Sequence, residues 1–417
     1  MSSFSSDSSL RGFSFFGVFA FVVGRVWHEA FSLQGGIPMF NFLFYGFSLF
    51  ALAYIAFRGL TDPLGVRRRL SVIFLGLAIF VSLLVVWIFY VTGDFNGVSR
   101  DDFGAMYFGF VVSSISYGVL GYLAFVFSRS FSAGTLLSVL LLSLIPVLWI
   151  TDWSSLTIVY RDYATGRTVN YLLIGDVVVF AYLLYLLSAG VDGSLKTGHY
   201  LFGGLVFIVL FLNNSRSSLI FFGVCFFAAH FIVSMMSKAI RRRSIVLSLV
   251  GFSAFSLFAI FYWSDLEVLL RGSRVLSLFL DAGADGSVLS RSLIMDEGLR
   301  RIAENFFLGD IAGQTKHAYG IVPLGSYIHN VLSFWEQFGL VVFLLYIGAW
   351  GFLLLEVYRG LRVNRVVGLV LLFGFLYALL SMVFARAFVH TVFSGFLVLI
   401  ACQASRLDAG EELTDLN

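Results

Sequence analysis

Apolar residues fill this chain in long runs, without the two-residue alternation of a half-buried strand. A helix needs about 20 such residues to cross the roughly 30 Å hydrocarbon core of a bilayer. The pattern predicts spans at 12–30, 38–57, 70–92, 104–127, 132–151, 170–188, 200–213, 217–237, 244–262, 329–355, 366–385 and 389–403. A lipid-embedded barrel would instead show short alternating segments, so helices are the expected element. In lipid, a helix satisfies every backbone group within its own segment.

Composition strengthens this picture. Of 417 residues, 59% are hydrophobic and 12% charged, against about 25% charged in a soluble domain. Mean hydropathy is +0.94. The expected class is therefore all-α: a polytopic helical bundle of about 12 spans, with residues 1–417 as one transmembrane domain. The first apolar run follows the Ser-rich segment Met1–Ser9 directly and lacks a small-residue cleavage site, which reads as a retained span. Cys225 and Cys402 both lie in apolar runs, which excludes a disulfide framework and a cysteine zinc site. A net charge of +3 gives no footing for nucleic acid.

Charge between the runs sets an orientation, because short cytoplasmic loops collect Lys and Arg. One set of loops and the termini carry 15 basic residues, including Arg67, Arg68, Arg69, Arg241, Arg242, Arg243, Arg359, Arg362 and Arg365. The short loops of the other side carry 5: Arg100, Arg161, Arg167, Arg216 and Arg386. Both termini are thus expected in the cytoplasm. The long loop 263–328, between spans 9 and 10, then lies outside. Within it, Leu293, Ile294, Leu299, Ile302, Phe306 and Phe307 recur at roughly helical spacing from Arg291, Ser287 or Ser290 is placed to cap the start, and Gly309 marks a break.

Candidate chemistry gathers on that outer side. Arg25, Arg216 and Arg386 stand at or near the outer boundary, where ionisable residues are costly and usually face a cavity or an ionic partner. The planar fork of arginine suits phosphate. The bland alternative for each is snorkelling, or pairing with a nearby acid. Arg216 stands in the polar knot Asn213-Asn214-Ser215-Arg216-Ser217-Ser218 between two apolar runs, where a tight turn would aim it along the bundle axis and a plain hairpin tip is the other reading. His329 marks the junction of the long loop with span 10 and is able to take a proton near neutral pH, though a boundary histidine is often only interfacial. Glu336 follows it two turns along the same helical face. The remaining histidines, His28, His199, His230, His317 and His390, form no metal spacing. No phosphate loop or dinucleotide fingerprint is present, and no cofactor is expected.

Three segments resemble the O-antigen polymerase and O-antigen ligase superfamily of bacterial envelope biosynthesis. Asn214-Ser215-Arg216-Ser217 resembles the family's Ser-Arg turn. Ser290-Arg291-Ser292, followed by Ile302 to Gly309, resembles its Arg-led helix ending at a glycine. His329-Asn330, with Leu332, Glu336 and Gly339 after it, resembles its His-Asn signature. The motif-bearing stretch covers about 213–340; Val342 departs from it, standing where members often carry a second glycine. The resemblance implies a GT-C-like membrane glycosyltransferase of the inner membrane, acting at the periplasmic face in lipopolysaccharide biosynthesis. The implied donor is a glycan on undecaprenyl diphosphate, attacked by an acceptor hydroxyl without metal or nucleotide sugar. On this reading Arg216 and Arg291 hold the diphosphate and His329 acts as base or orients the acceptor. Tyr327, Asn330 and Glu336 support them, and Arg161, Arg274 and Arg386 line the sugar groove. Membrane lipids and a chain-length regulator are the partners the family implies.

The polymerase branch is the preferred reading, because the ligase branch tends to place one more residue between His-Asn and the glycine. A ligase transferring finished glycan to lipid A-core is the alternative. A transporter or flippase with twelve spans is the alternative of another class, but such folds often show two related halves, and the late outer loop makes the halves of this chain unlike each other.

Overall fold

Where the chain is described, its apolar runs are helices. The structure is a computed structural model describing residues 8–58, 69–93, 99–154, 157–158, 168–191, 197–236, 286–313 and 328–408. In chain order the helices are α1 Leu10–Ala30, α2 Phe40–Arg58, α3 Leu70–Thr92, α4 Arg100–Ser130, α5 Ala133–Trp149 and α6 Tyr171–Val191. They continue with α7 Thr197–Leu212, α8 Arg216–Met236, α9 Gly286–Glu304, α10 Leu332–Val363, α11 Arg365–Phe384 and α12 Val392–Asp408. Among the described residues, a two-residue antiparallel pairing, Thr151 with Ile158 and Asp152 with Thr157, is the one departure from an all-α arrangement.

Among the described residues, six helices are long and apolar enough to cross a membrane: α1, α3, α4, α6, α10 and α11. The shorter apolar helices α2, α5, α7, α8 and α12 stand at five further predicted spans. The remaining one, 244–262, lies outside the described residues, as do 263–285 and 314–327 of the long loop. Helix α9 begins at Gly286, so Ser287 and Ser290 fall within it rather than before it. Helix α10 runs to Val363, past the expected end at 355, because Glu356, Arg359 and Arg362 continue its last turns as charged residues. Hydropathy locates the apolar part of such a helix and misses its polar extension.

The bundle is knit by close helix pairs. Helix α12 lies along α4, α3 along α10, α11 along α10, and α8 along α11. The α4–α12 crossing is tight because both helices carry glycine there: a β-carbon on Gly121 would sit 2.3 Å from the carbonyl oxygen of Gly395. Small residues at such crossings let backbones approach and strengthen packing where lipid supplies no hydrophobic drive.

One irregularity positions α9. Gly339, early in α10, has φ +83 and ψ 177, a region open essentially only to glycine. The chain leaving α9 turns at Gly309, φ +71, and packs against this break. A β-carbon on Gly339 would lie 2.2 Å from the carbonyl oxygen of Phe307. The amide of Asp310 donates to the carbonyl oxygen of Glu336 at 2.7 Å. The expected break at Gly309 is therefore present, and it has a counterpart in α10.

Candidate active site

The first turns of α6, α8, α10 and α12 and the last turn of α11 meet at one end of the bundle, and polar side chains meet with them. Asp176 lies on the second turn of α6 within an otherwise apolar stretch, and is fully buried. An unpaired charge at that depth would cost several kcal/mol. Arg386, in the corner between α11 and α12, neutralises it: Nε donates to Asp176 Oδ2 at 2.8 Å and Nη2 to Oδ1 at 3.0 Å. Such a two-point fork is the strong form of this contact. The Tyr377 hydroxyl of α11 donates to the same Oδ1 at 2.6 Å, and Ser218 Oγ reaches it at 3.2 Å. Arg386 spends its other donors on Ser217 Oγ at 2.6 Å and Ser218 Oγ at 2.7 Å.

Those serines begin α8, so the pair fixes the turn that carries Arg216. The turn itself is sharp. Asn214 takes the left-handed conformation, φ +56, which asparagine accepts more readily than most residues. Asn213 Nδ2 donates to the Tyr171 carbonyl oxygen at 2.6 Å, tying the turn to the start of α6. Asn213, Asn214 and Ser215 are buried, while Arg216 is half-buried as the first residue of α8. The polar knot is thus a built corner between α7 and α8 and not a hairpin tip in water.

The same corner reaches the start of α10. The amide of Phe388, two residues beyond Arg386, donates to Ser333 Oγ at 2.8 Å. Asn330 shapes the approach: its Oδ1 accepts from the Leu332 amide at 2.9 Å and its carbonyl oxygen from the Ser333 amide at 3.0 Å. His329 precedes it, half-buried. Burial, followed by the charges of Arg291 and Arg386, holds the His329 imidazole below its usual pKa. Burial and the charge of Arg386 lower His390, across the corner, in the same direction. An imidazole is suited to proton transfer, and neighbouring cations offer charge to an anion.

A second buried pair attaches α9. Arg301 forms a salt bridge with Glu336 Oε1, its Nε donating at 3.0 Å, and both side chains are excluded from solvent. Glu336 Oε2 accepts from the Ile328 amide at 2.9 Å. Beyond Gly309, the Ala312 amide donates to the Tyr107 hydroxyl at 2.9 Å, and Tyr107 in turn donates to Gln337 Oε1 at 2.6 Å. The chain on either side of the α9–α10 connection is thus fastened to α10 and α4 immediately beside His329.

Set against the predicted site, the structure brings His329, Arg291, Arg386, Asn330 and the Arg216 turn to one end of the bundle. Arg386 differs from expectation. Placed by sequence at an open boundary to line a groove, it is 1% exposed and committed to Asp176. The cost of burying a guanidinium is met by the acid and two hydroxyls, Ser217 and Ser218. Glu336 is likewise buried, occupied by Arg301 and the Ile328 amide. Arg25 follows the bland reading, pairing with Glu29 at 2.8 Å. Arg161, Arg274 and Tyr327 lie outside the described residues. Asp176 and Arg301 were not predicted as site residues. An acid alone inside an apolar run is a legible signal, whereas nothing in sequence distinguishes Arg301 from its neighbour Arg300.

No family model matches the chain, and no curated protein matches it. Among solved structures, it is similar to a chain from a work titled structural coordination of polymerization and crosslinking by a peptidoglycan synthase complex, with 15% identity and a TM-score of 0.41. The match covers 78% of this chain and 97% of that one. So loose a superposition assigns no activity.

Proposed function

We propose that the chain is a membrane glycosyltransferase of the O-antigen polymerase type, joining repeat units carried on undecaprenyl diphosphate at the periplasmic face of a bacterial inner membrane. The carrying observation is His329 set among Arg291 and Arg386 at the end of the bundle where the Arg216 turn is anchored. In this reading the acceptor hydroxyl gives its proton to His329 as its oxygen bonds to the anomeric carbon. The glycosidic bond to the diphosphate breaks, and the leaving oxygens take up the electron pair. Arg216 and Arg291 stabilise the charge that develops there, which preorganised donors do best in a site shielded from water. Arg386, Asn330 and Glu336 act as positioning residues. Arg161, Arg274 and Tyr327 are proposed to complete the sugar groove. Twelve spans with cytoplasmic termini would place this end outside, where lipid-linked units are displayed.

The test is purified wild-type protein with synthetic undecaprenyl-diphosphate repeat units, without metal or nucleotide sugar, beside His329→Ala. A glycan ladder that disappears in the variant supports the proposal. Loss of a general base typically costs 10²–10⁴-fold. No ladder from folded wild-type protein, followed by transfer once lipid A-core is added, makes it a ligase. No transfer to either acceptor overturns the glycosyltransferase reading.

A further inference from the structure

The turn that follows α9 is built in an unusual way for a segment facing water. Phe306, Phe307 and Leu308 are consecutive and apolar, and Phe307 and Leu308 are 69% and 77% exposed. The turn is nevertheless well fixed. The Gly309 amide donates to the Asn305 carbonyl oxygen at 2.9 Å, and the Trp335 indole donates to the Phe306 carbonyl oxygen at 2.8 Å. Exposing adjacent large apolar side chains on a fixed turn is unfavourable in water. A patch of this kind marks an interaction site.

Its position indicates what covers it. The turn packs its backbone against Gly339, beyond the first turns of α10. From Phe307 an aromatic series descends along that helix: Phe307 to Phe306 at 5.1 Å, Phe306 to Trp335 at 4.9 Å, and Trp335 to Phe343 at 5.0 Å. Immediately below, α10 exposes Val341, Leu344, Ile347, Leu354 and Leu355, the stripe that a spanning helix turns to lipid. The exposed turn is continuous with that stripe. Tryptophan at the junction suits the membrane–water interface, where its ring lies among headgroups and its N–H finds a partner. On α9 itself, Arg300 pairs with Glu297 at 2.7 Å in solvent.

We infer that Phe306, Phe307 and Leu308 form a membrane-dipping tip, inserted among the acyl chains of the leaflet beside the entry end of α10. The segment carrying Arg291 is then held from two sides, by the Arg301–Glu336 pair and by lipid. The inference rests on α10 crossing the membrane and not on the identity of the glycan.

Leu308→Cys and Phe307→Cys, each carrying an environment-sensitive fluorophore, test it in the full chain in phospholipid nanodiscs. Val341→Cys serves as the lipid-facing control and Arg300→Cys as the aqueous one. Native Cys225 and Cys402 are buried, and unsubstituted protein labelled in parallel gives the background. Labels at 307 and 308 are expected to match 341, with blue-shifted emission, quenching by doxyl lipid and little quenching by iodide. Quenching by iodide to the level of 300, with none by doxyl lipid, overturns the tip. Aqueous behaviour at 341 as well overturns both the tip and the membrane placement of α10. Loss of glycan transfer elsewhere moves none of these signals.

Discussion

Two arginine–carboxylate pairs are buried at the same end of this bundle, and they do different work. Asp176–Arg386 joins residues 210 positions apart, drawing α6, α8, α11 and the corner before α12 to one point. Both carboxylate oxygens and both sides of the guanidinium are taken, with Tyr377, Ser217 and Ser218 completing the set. Glu336–Arg301 joins residues 35 apart and fastens a single helix, α9, to α10. One carboxylate oxygen serves the arginine and the other a backbone amide. The first pair is a closed polar core, in which no member can move without stranding another. The second is a fastening for one segment, whose release would leave the helices beneath it in place.

The largest effect should come from breaking the first pair. Arg386→Met leaves Asp176 buried without its counter-charge, and Asp176→Leu does the reverse. Removing one partner of a buried pair costs about 3–5 kcal/mol, whereas replacing both by apolar groups is often near neutral. Each single variant should unfold at markedly lower temperature in detergent, and the double variant should recover much of the loss. A double variant as unstable as the singles would show that the hydroxyl shell, not the ion pair, holds the corner.

The second pair should give a smaller and local effect. Glu336→Gln keeps an oxygen and an amide at the site but removes the charge from the contact with Arg301. A hydrogen bond to a charged group is worth about 1.5–3 kcal/mol. Protease cleavage within α9 should quicken while the unfolding midpoint of the whole chain moves little. A midpoint drop equal to that of Asp176→Leu would erase the distinction between core and fastening.

The contrast also explains what could be read from the sequence. Long apolar runs state helices directly, and eleven of the predicted spans coincide with described helices. The Asn213–Ser218 knot and the His329-Asn330 junction are legible because polar residues interrupt apolar ones there. Partnerships are not legible in the same way. Arg386 reads as an available cation until Asp176 is found across the bundle, since nothing local in either segment names the other. Gly309 reads as a break by itself, while its dependence on the φ +83 break at Gly339 appears only in three dimensions. Arg300 and Arg301 are adjacent and chemically alike, yet one is in solvent with Glu297 and the other is buried against Glu336. A shift of about 100° around a helix separates those fates.

The smallest expected effect concerns how the first pair reaches the chemistry. Burial and the charges of Arg291 and Arg386 hold the His329 imidazole below its ordinary value, which is near 6.5 in model peptides. A base works only when unprotonated, so turnover should fall as pH drops through this lowered pKa, and the acid limb should lie below about 6.5. Arg291→Gln removes one cation and leaves burial unchanged. The imidazole then binds its proton more readily, and the acid limb moves to higher pH. The shift is read from the midpoint of kcat/KM against pH, whatever the variant does to the amplitude. A merely structural Arg291 would lower the amplitude and leave the midpoint where it was. A limb moving to lower pH would mean that the group losing activity is not this imidazole. High salt supplies an independent check, because it screens exposed Arg291 far more than buried Arg386. It should move the wild-type limb toward that of Arg291→Gln and leave the variant's limb nearly still.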